Sequence, residues 1–87
     1  KMPIPKFRAG DLVEFVPSGV RSPPGVWYCE NSMGEEVPIR PGQKALVLEL
    51  TDSFEHQNEW FFSYKILVGS VLLEASDIMF RKINNPR

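Results

Sequence analysis

Residues 60–83 read WFFSYKILVGSVLLEASDIMFRKI, the densest apolar stretch of the chain, broken at its middle by Gly69-Ser70. A two-residue break with glycine first suits a type II′ hairpin turn, because glycine takes the left-handed first position at no steric cost. Pairing outward from that turn sets Val68 opposite Val71, Leu67 opposite Leu72 and Ile66 opposite Leu73. It then sets Lys65 opposite Glu74 and Tyr64 opposite Ala75. Side chains alternate between faces, so Tyr64, Ile66, Val68, Val71, Leu73 and Ala75 share the inward one, which Trp60 and Phe62 continue. The other face receives Leu67, Leu72 and the opposite-charge pair Lys65 and Glu74. A slipped register does not reproduce that agreement.

Upstream, KALVLELT (44–51) alternates Leu46, Leu48 and Leu50 with Ala45, Val47 and Glu49. It is apolar on nearly both faces, as a central strand is, and Arg40-Pro41-Gly42-Gln43 opens it with a turn signal. The polar DSFEHQNE (52–59) is expected to be a hairpin loop. Earlier, Gly10-Asp11 turns into LVEFV (12–16), where Glu14 marks the wet face and Val13 and Phe15 point inside. KMPIPKFR (1–8) is an extended lead-in. Residues 20–43 hold Pro23, Pro24, Pro38 and Pro41, so no central strand runs through either proline pair. Between them VWYCE (26–30) is strand-like, and Asn31-Ser32-Met33-Gly34 turns it back on 35–39 as a short excursion hairpin. A connection this long either carries function or covers an open barrel end. After the 60–76 hairpin, Asp77 is expected to cap a single helical turn through Ile78 and Met79, ahead of a last strand at 80–83.

Apolar residues never recur at helical spacing over several turns. Short strands punctuated by proline and glycine define an all-β barrel or sandwich, and a five-stranded barrel fits the length. The chain's 87 residues make one domain, and 43% hydrophobic with 24% charged residues is the balance of a folded globular chain. Ten Lys and Arg against eleven Asp and Glu leave a net charge of −1, a poor start for binding phosphate backbone non-specifically. The single cysteine, Cys29, excludes an internal disulfide. Lys65, Gly69 and Glu74 break the apolar runs well short of the roughly 20 residues a membrane span needs. The opening Met2-Pro3-Ile4-Pro5 has no signal-peptide pattern, so a cytoplasmic protein is the expectation.

FRAGDLVEF (7–15), GQKALVLEL (42–50), YKILVGSVLLEA (64–75) and SDIMFRKI (76–83), in that order, resemble the Src-homology-3-like small barrels. The resemblance is to short single-domain versions found in phages and bacteria, akin to the KOW and Tudor groups. In that family a Gly-Asp turn opens strand one and a glycine precedes the second core strand. A tight hairpin follows, and Asp plus an aliphatic residue makes a helical turn into the last strand. Gly10-Asp11, Gly42, Gly69 and Asp77-Ile78 take those places. The resemblance covers about residues 7–83 and implies a five-stranded barrel with a long proline-containing insertion, about 20–41, between the first two core strands. The insertion departs from the family. So does the lack of an acidic-plus-aromatic peptide-binding loop, so recognition of PxxP ligands is not carried over. Trp27, Tyr28 and Trp60 do not align with a Tudor methyl-lysine cage.

Residue types give catalysis little support. His56, the only histidine, sits in the most polar stretch beside Glu55 and near Asp52. An exposed tip supplies neither the pocket nor the perturbed pKa of a general base, so a surface histidine is expected. Cys29, between Tyr28 and Glu30, lacks the electropositive neighbours of a nucleophilic thiolate and is expected to pack. One Cys and one His show no zinc spacing, and no glycine-rich phosphate loop is present. No enzymatic activity, cofactor or metal is expected.

Trp27 and Tyr28 are adjacent, so in a strand they face opposite sides. An outward aromatic there would anchor a partner, and the plainer alternative is that both cover the barrel end. Phe61, Leu67 and Leu72, on the outer face of the hairpin, join Trp27 as the expected contacts for a protein partner or a second copy. Basic residues gather at the chain ends: Lys1, Lys6 and Arg8, then Arg81, Lys82 and Arg87. Were the first and last strands adjacent, Arg8, Arg81, Lys82 and Arg87 would form one basic edge. Such an edge either meets nucleic acid or simply protects itself from strand addition. The expected function is a non-catalytic small β-barrel serving protein interaction or assembly, the alternative a nucleic-acid-binding barrel using that edge.

Overall fold

The computed structural model describes residues 3–19 and 25–83. The strands among them are β1 (Leu12–Phe15), β2 (Trp27–Asn31), β3 (Glu36–Ile39), β4 (Lys44–His56), β5 (Glu59–Val68), β6 (Val71–Ser76) and β7 (Phe80–Lys82). A 3-10 turn at Asp77–Met79 links β6 to β7. All pairings are antiparallel and give one sheet in the order β3-β2-β6-β5-β4-β1-β7, curled into a half-barrel around the core.

The β5–β6 hairpin forms in the register its sequence sets, from Val68 opposite Val71 out to Tyr64 opposite Ala75. Gly69 sits at φ 62°, the left-handed position that the turn demands. Tyr64, Ile66, Leu73 and Ala75 are buried, whereas Val68 is half-buried and Val71 is exposed near the tip. In β1, Val13 and Phe15 are buried as expected, and Glu14 faces out. The first and last strands are adjacent, with Val13 opposite Lys82 and Phe15 opposite Phe80.

Three expectations are corrected. The sheet has seven strands, not five, because the described part of the 20–41 stretch is itself a hairpin joined to the sheet. Trp27 pairs with Ile39 and Cys29 with Val37, while Glu30 and Asn31 pair with Glu74 and Leu73 of β6. Asn31 closes the turn, its Oδ1 accepting the Met33 and Glu35 amides at 2.9 Å each. Pro38 costs no ladder bond, because β3 is an edge strand. Residues 20–24, with Pro23 and Pro24, lie outside the described residues.

The second correction concerns 52–59, which is no loop. β4 runs on to His56 and β5 starts at Glu59, leaving a two-residue turn of Gln57 and Asn58 at φ 52° and 66°. Two successive positive φ values are the type I′ geometry that matches strand twist. Phe54 opposite Phe61, rings stacked at 5.4 Å, helps hold this ribbon together beyond the end of β6. The third correction is at the helical turn. Ser76 is its N-cap, with Oγ accepting the Ile78 amide at 3.4 Å, and Asp77 lies inside the turn and buried. β4 also shifts register against β5 between Val47 and Glu49 and again between Leu50 and Asp52. Each shift inserts one unpaired residue, and such bulges bend and twist a strand.

The core is knotted at one end by four aromatic rings. Phe80 lies 4.8 Å from Phe7, 5.8 Å from Phe15 and 6.1 Å from Tyr64 between ring centroids, mostly edge-to-face. The Tyr64 hydroxyl is fully buried and accepts the Phe7 amide at 3.2 Å, which fixes the lead-in across the barrel end. Phe80→Ala should therefore cost roughly 3–5 kcal/mol in urea unfolding, as deletion of a buried ring does. A loss under about 1 kcal/mol would show that the rings do not act as one packed unit.

Candidate interaction face

Outward side chains of the inner strands are settled by register. Leu12 stands opposite Leu46, Leu46 opposite Leu67, and Leu67 opposite Leu72. Four leucines thus form an unbroken row across β1, β4, β5 and β6. Leu12, Leu46 and Leu72 are 42%, 36% and 45% exposed, and Leu67 is half-buried. Single exposed leucines are ordinary on a protein surface, but a contiguous row is the mark of a contact site.

Two positions along β5 and β6, and three along the bulged β4, a second row runs beside the first and on past it: Glu36, Glu30, Glu74, Lys65 and Glu49, on β3, β2, β6, β5 and β4 in turn. All five are exposed. Lys65 faces a glutamate on each side, and its Nζ sits 3.4 Å from Glu49 Oε2. Glu74 instead accepts the Thr51 hydroxyl at 2.8 Å. Where the rows meet, Glu30, Thr51, Lys65, Leu72 and Glu74 line a shallow depression of about 150 Å³.

Of the residues expected at an interface, Leu67 and Leu72 lie together in the leucine row. Phe61 is apart from them, six residues further along β5, paired with Phe54 on the projecting ribbon. Trp27 is committed to the fold: it packs against the core, and its indole N–H donates to the Val16 carbonyl at 2.6 Å. Sequence reasoning missed Leu12, Leu46 and the glutamate row. Their alternation is visible in LVEFV and KALVLELT, but only the pairing of distant strands aligns them.

Two cations of the basic edge, Arg81 and Lys82, are each paired with a carboxylate. Arg81 Nη2 lies 2.9 Å from Glu14 Oε2, and Lys82 Nζ lies 3.5 Å from Asp11 Oδ1. Arg8 is exposed, its amide donating to Asp11 Oδ2 at 3.0 Å, and Arg87 lies outside the described residues. Cations held by carboxylates offer less to phosphate than free ones do. His56 is exposed at the ribbon tip, opposite Glu59. Cys29 is buried beside Met79, and burial pushes its thiol from an ordinary 9.0 up to about 11. A thiol held in that way is a packing group, not a nucleophile.

Among the described residues no group of His, Cys, Asp and Glu is placed to hold a metal ion, and no helix is long and apolar enough to cross a membrane. No protein-family model matches the chain, and neither a curated protein nor a solved structure matches it.

Two measurements check these placements. Trp27→Phe loses the indole bond to Val16 and should lower stability by about 1 kcal/mol in urea. Between pH 9 and 11 folded Cys29 keeps a proton that the unfolded chain gives up. Its contribution is therefore full below the unfolded pKa and falls as the pH rises through the folded one. Burial also raises the Tyr64 pKa, so the Cys29 share is read as the difference from Cys29→Ala, whose urea midpoint should fall less across that window.

Proposed function

We propose that this chain is a non-catalytic small β-barrel that serves as a protein-interaction or assembly module. The row Leu12, Leu46, Leu67 and Leu72 carries this reading: it is a continuous apolar strip on the side of the sheet that faces away from the core. The inner face already contains the chain's own core, so the fold has no internal use for these four side chains. Phe54 and Phe61 on the ribbon offer a second, separate apolar contact.

The finer assignment is to the Src-homology-3-like barrels of the KOW and Tudor kind, in a phage or bacterial single-domain form. Supporting it are the Gly10-Asp11 turn into β1, the Pro41-Gly42 turn into β4, the Gly69 hairpin, and the 3-10 turn into a last strand beside β1. The hairpin β2–β3 and the long β4–β5 ribbon are then additions to that plan.

Light scattering after size-exclusion chromatography tests the contact role. The wild type should gain mass as its concentration rises, and Leu72→Glu should remain at the monomer mass of 9.9 kDa. Leu72 is half in solvent already, so its replacement leaves the core intact. Identical, concentration-independent masses would overturn the self-associating form of the proposal.

A further inference from the structure

The glutamate row raises a question that the leucines alone do not. Glu36, Glu30 and Glu74 stand directly opposite one another on three adjacent strands, and like charges so placed weaken a sheet. Lys65 is next in the row but closes on Glu49, on the far side from them. Among the described residues none of the three glutamates forms an ion pair. A local arrangement that works against the fold is the usual sign of a surface kept for something else.

We propose that this face docks a basic amphipathic protein segment. Its apolar side chains lie along Leu12, Leu46, Leu67 and Leu72, and lysines or arginines in the part that runs on past β6 meet Glu74, Glu30 and Glu36. The proposal rests on the leucine row being a contact surface and adds the charge and shape of what it contacts. Charge complementarity selects the occupant, since a cationic flank relieves the repulsion that the free sheet carries. The depression beside Leu72 accepts the aliphatic stem of a lysine or arginine while its head reaches Glu30 and Glu74. The leucine row spans three inter-strand steps, about 14 Å, which is roughly ten residues of helix.

Other occupants fit less well. The same glutamates repel phosphate backbones and anionic lipid surfaces. A second copy brings its own glutamate row and a sheet that also bulges outward. Two such faces meet along a narrow strip with like charge on both sides, so contact between copies is weak and shows only as the concentration rises.

The test uses a fluorescent synthetic peptide of about five helical turns, with leucines at every third or fourth position and lysines gathered in the last two turns. A counterpart has glutamates in place of the lysines, and anisotropy reads binding to the full chain. The lysine peptide should bind, more weakly as salt rises, and the glutamate peptide should bind at least about tenfold more weakly. Glu30→Gln should weaken the lysine peptide several-fold while raising the melting temperature of the free protein, so misfolding cannot explain the loss. Equal binding of the two peptides, or unchanged affinity in Glu30→Gln, would overturn the basic partner. If Leu67→Glu still abolished that charge-blind binding, the contact surface would stand without it. Binding of neither peptide overturns the inference as well, and the mass measurements on Leu72→Glu then decide the contact role separately.

Discussion

The fold depends on Phe80. Its ring is the meeting point of the lead-in through Phe7, of β1 through Phe15 and of β5 through Tyr64. These residues are far apart in sequence, and no hairpin turn brings them together. The curl of the sheet brings them within contact, and their packing in turn keeps it curled. The Tyr64 hydroxyl adds the polar half of the closure, because the Phe7 amide would otherwise be buried with no acceptor. β7 is only three residues long, so its place beside β1 owes more to Phe80 than to its own ladder.

What could be read from the chain follows from how local each determinant is. The Gly69 hairpin was legible because turn, alternation and pairing lie within a dozen residues and agree with one another. β1 was legible from Val13, Glu14 and Phe15 in the same way. The 52–59 ribbon was not, since its turn uses Gln57 and Asn58 without a glycine and its one apolar residue, Phe54, finds its partner Phe61 on the other strand. Nor was the attachment of β2 to β6, whose pairs Glu30–Glu74 and Asn31–Leu73 carry no attraction that a sequence reader could recognise. Of the candidate face, Leu67 and Leu72 came from the hairpin register, whereas Leu12 and Leu46 needed the order of the whole sheet.

Inside and outside of the sheet are thus made differently. The inner face is a set of shape-matched rings and branched side chains, each excluding water from its neighbours. The outer face is organised in stripes that run across the strands, one of leucine and one mainly of glutamate. Within one strand such a stripe shows only as alternation; inter-strand register is what lines its members up across the sheet. The basic edge shows the opposite case. Its residues are conspicuous in the sequence, yet Glu14 of β1 pairs with Arg81, and Asp11 of the turn leading into β1 pairs with Lys82.

The two register shifts in β4 have a consequence of parity. Before the first shift the outward residues of β4 are even-numbered, as at Leu46; between the shifts they are odd-numbered, as at Glu49; after the second they are even again, as at Phe54. One bulge alone would invert everything distal to it, burying Asp52 and Phe54 on the Tyr64 side and turning Ser53 outward. Two cancel. The faces invert only if a bulge is ironed out with its extra residue still present; losing the residue together with its bulge leaves every remaining pair, and so every face, as it was. Single-residue deletions at Leu48 or Thr51 are consequently far less disruptive than deletion of a paired neighbour such as Glu49, which shifts the register of all that follows.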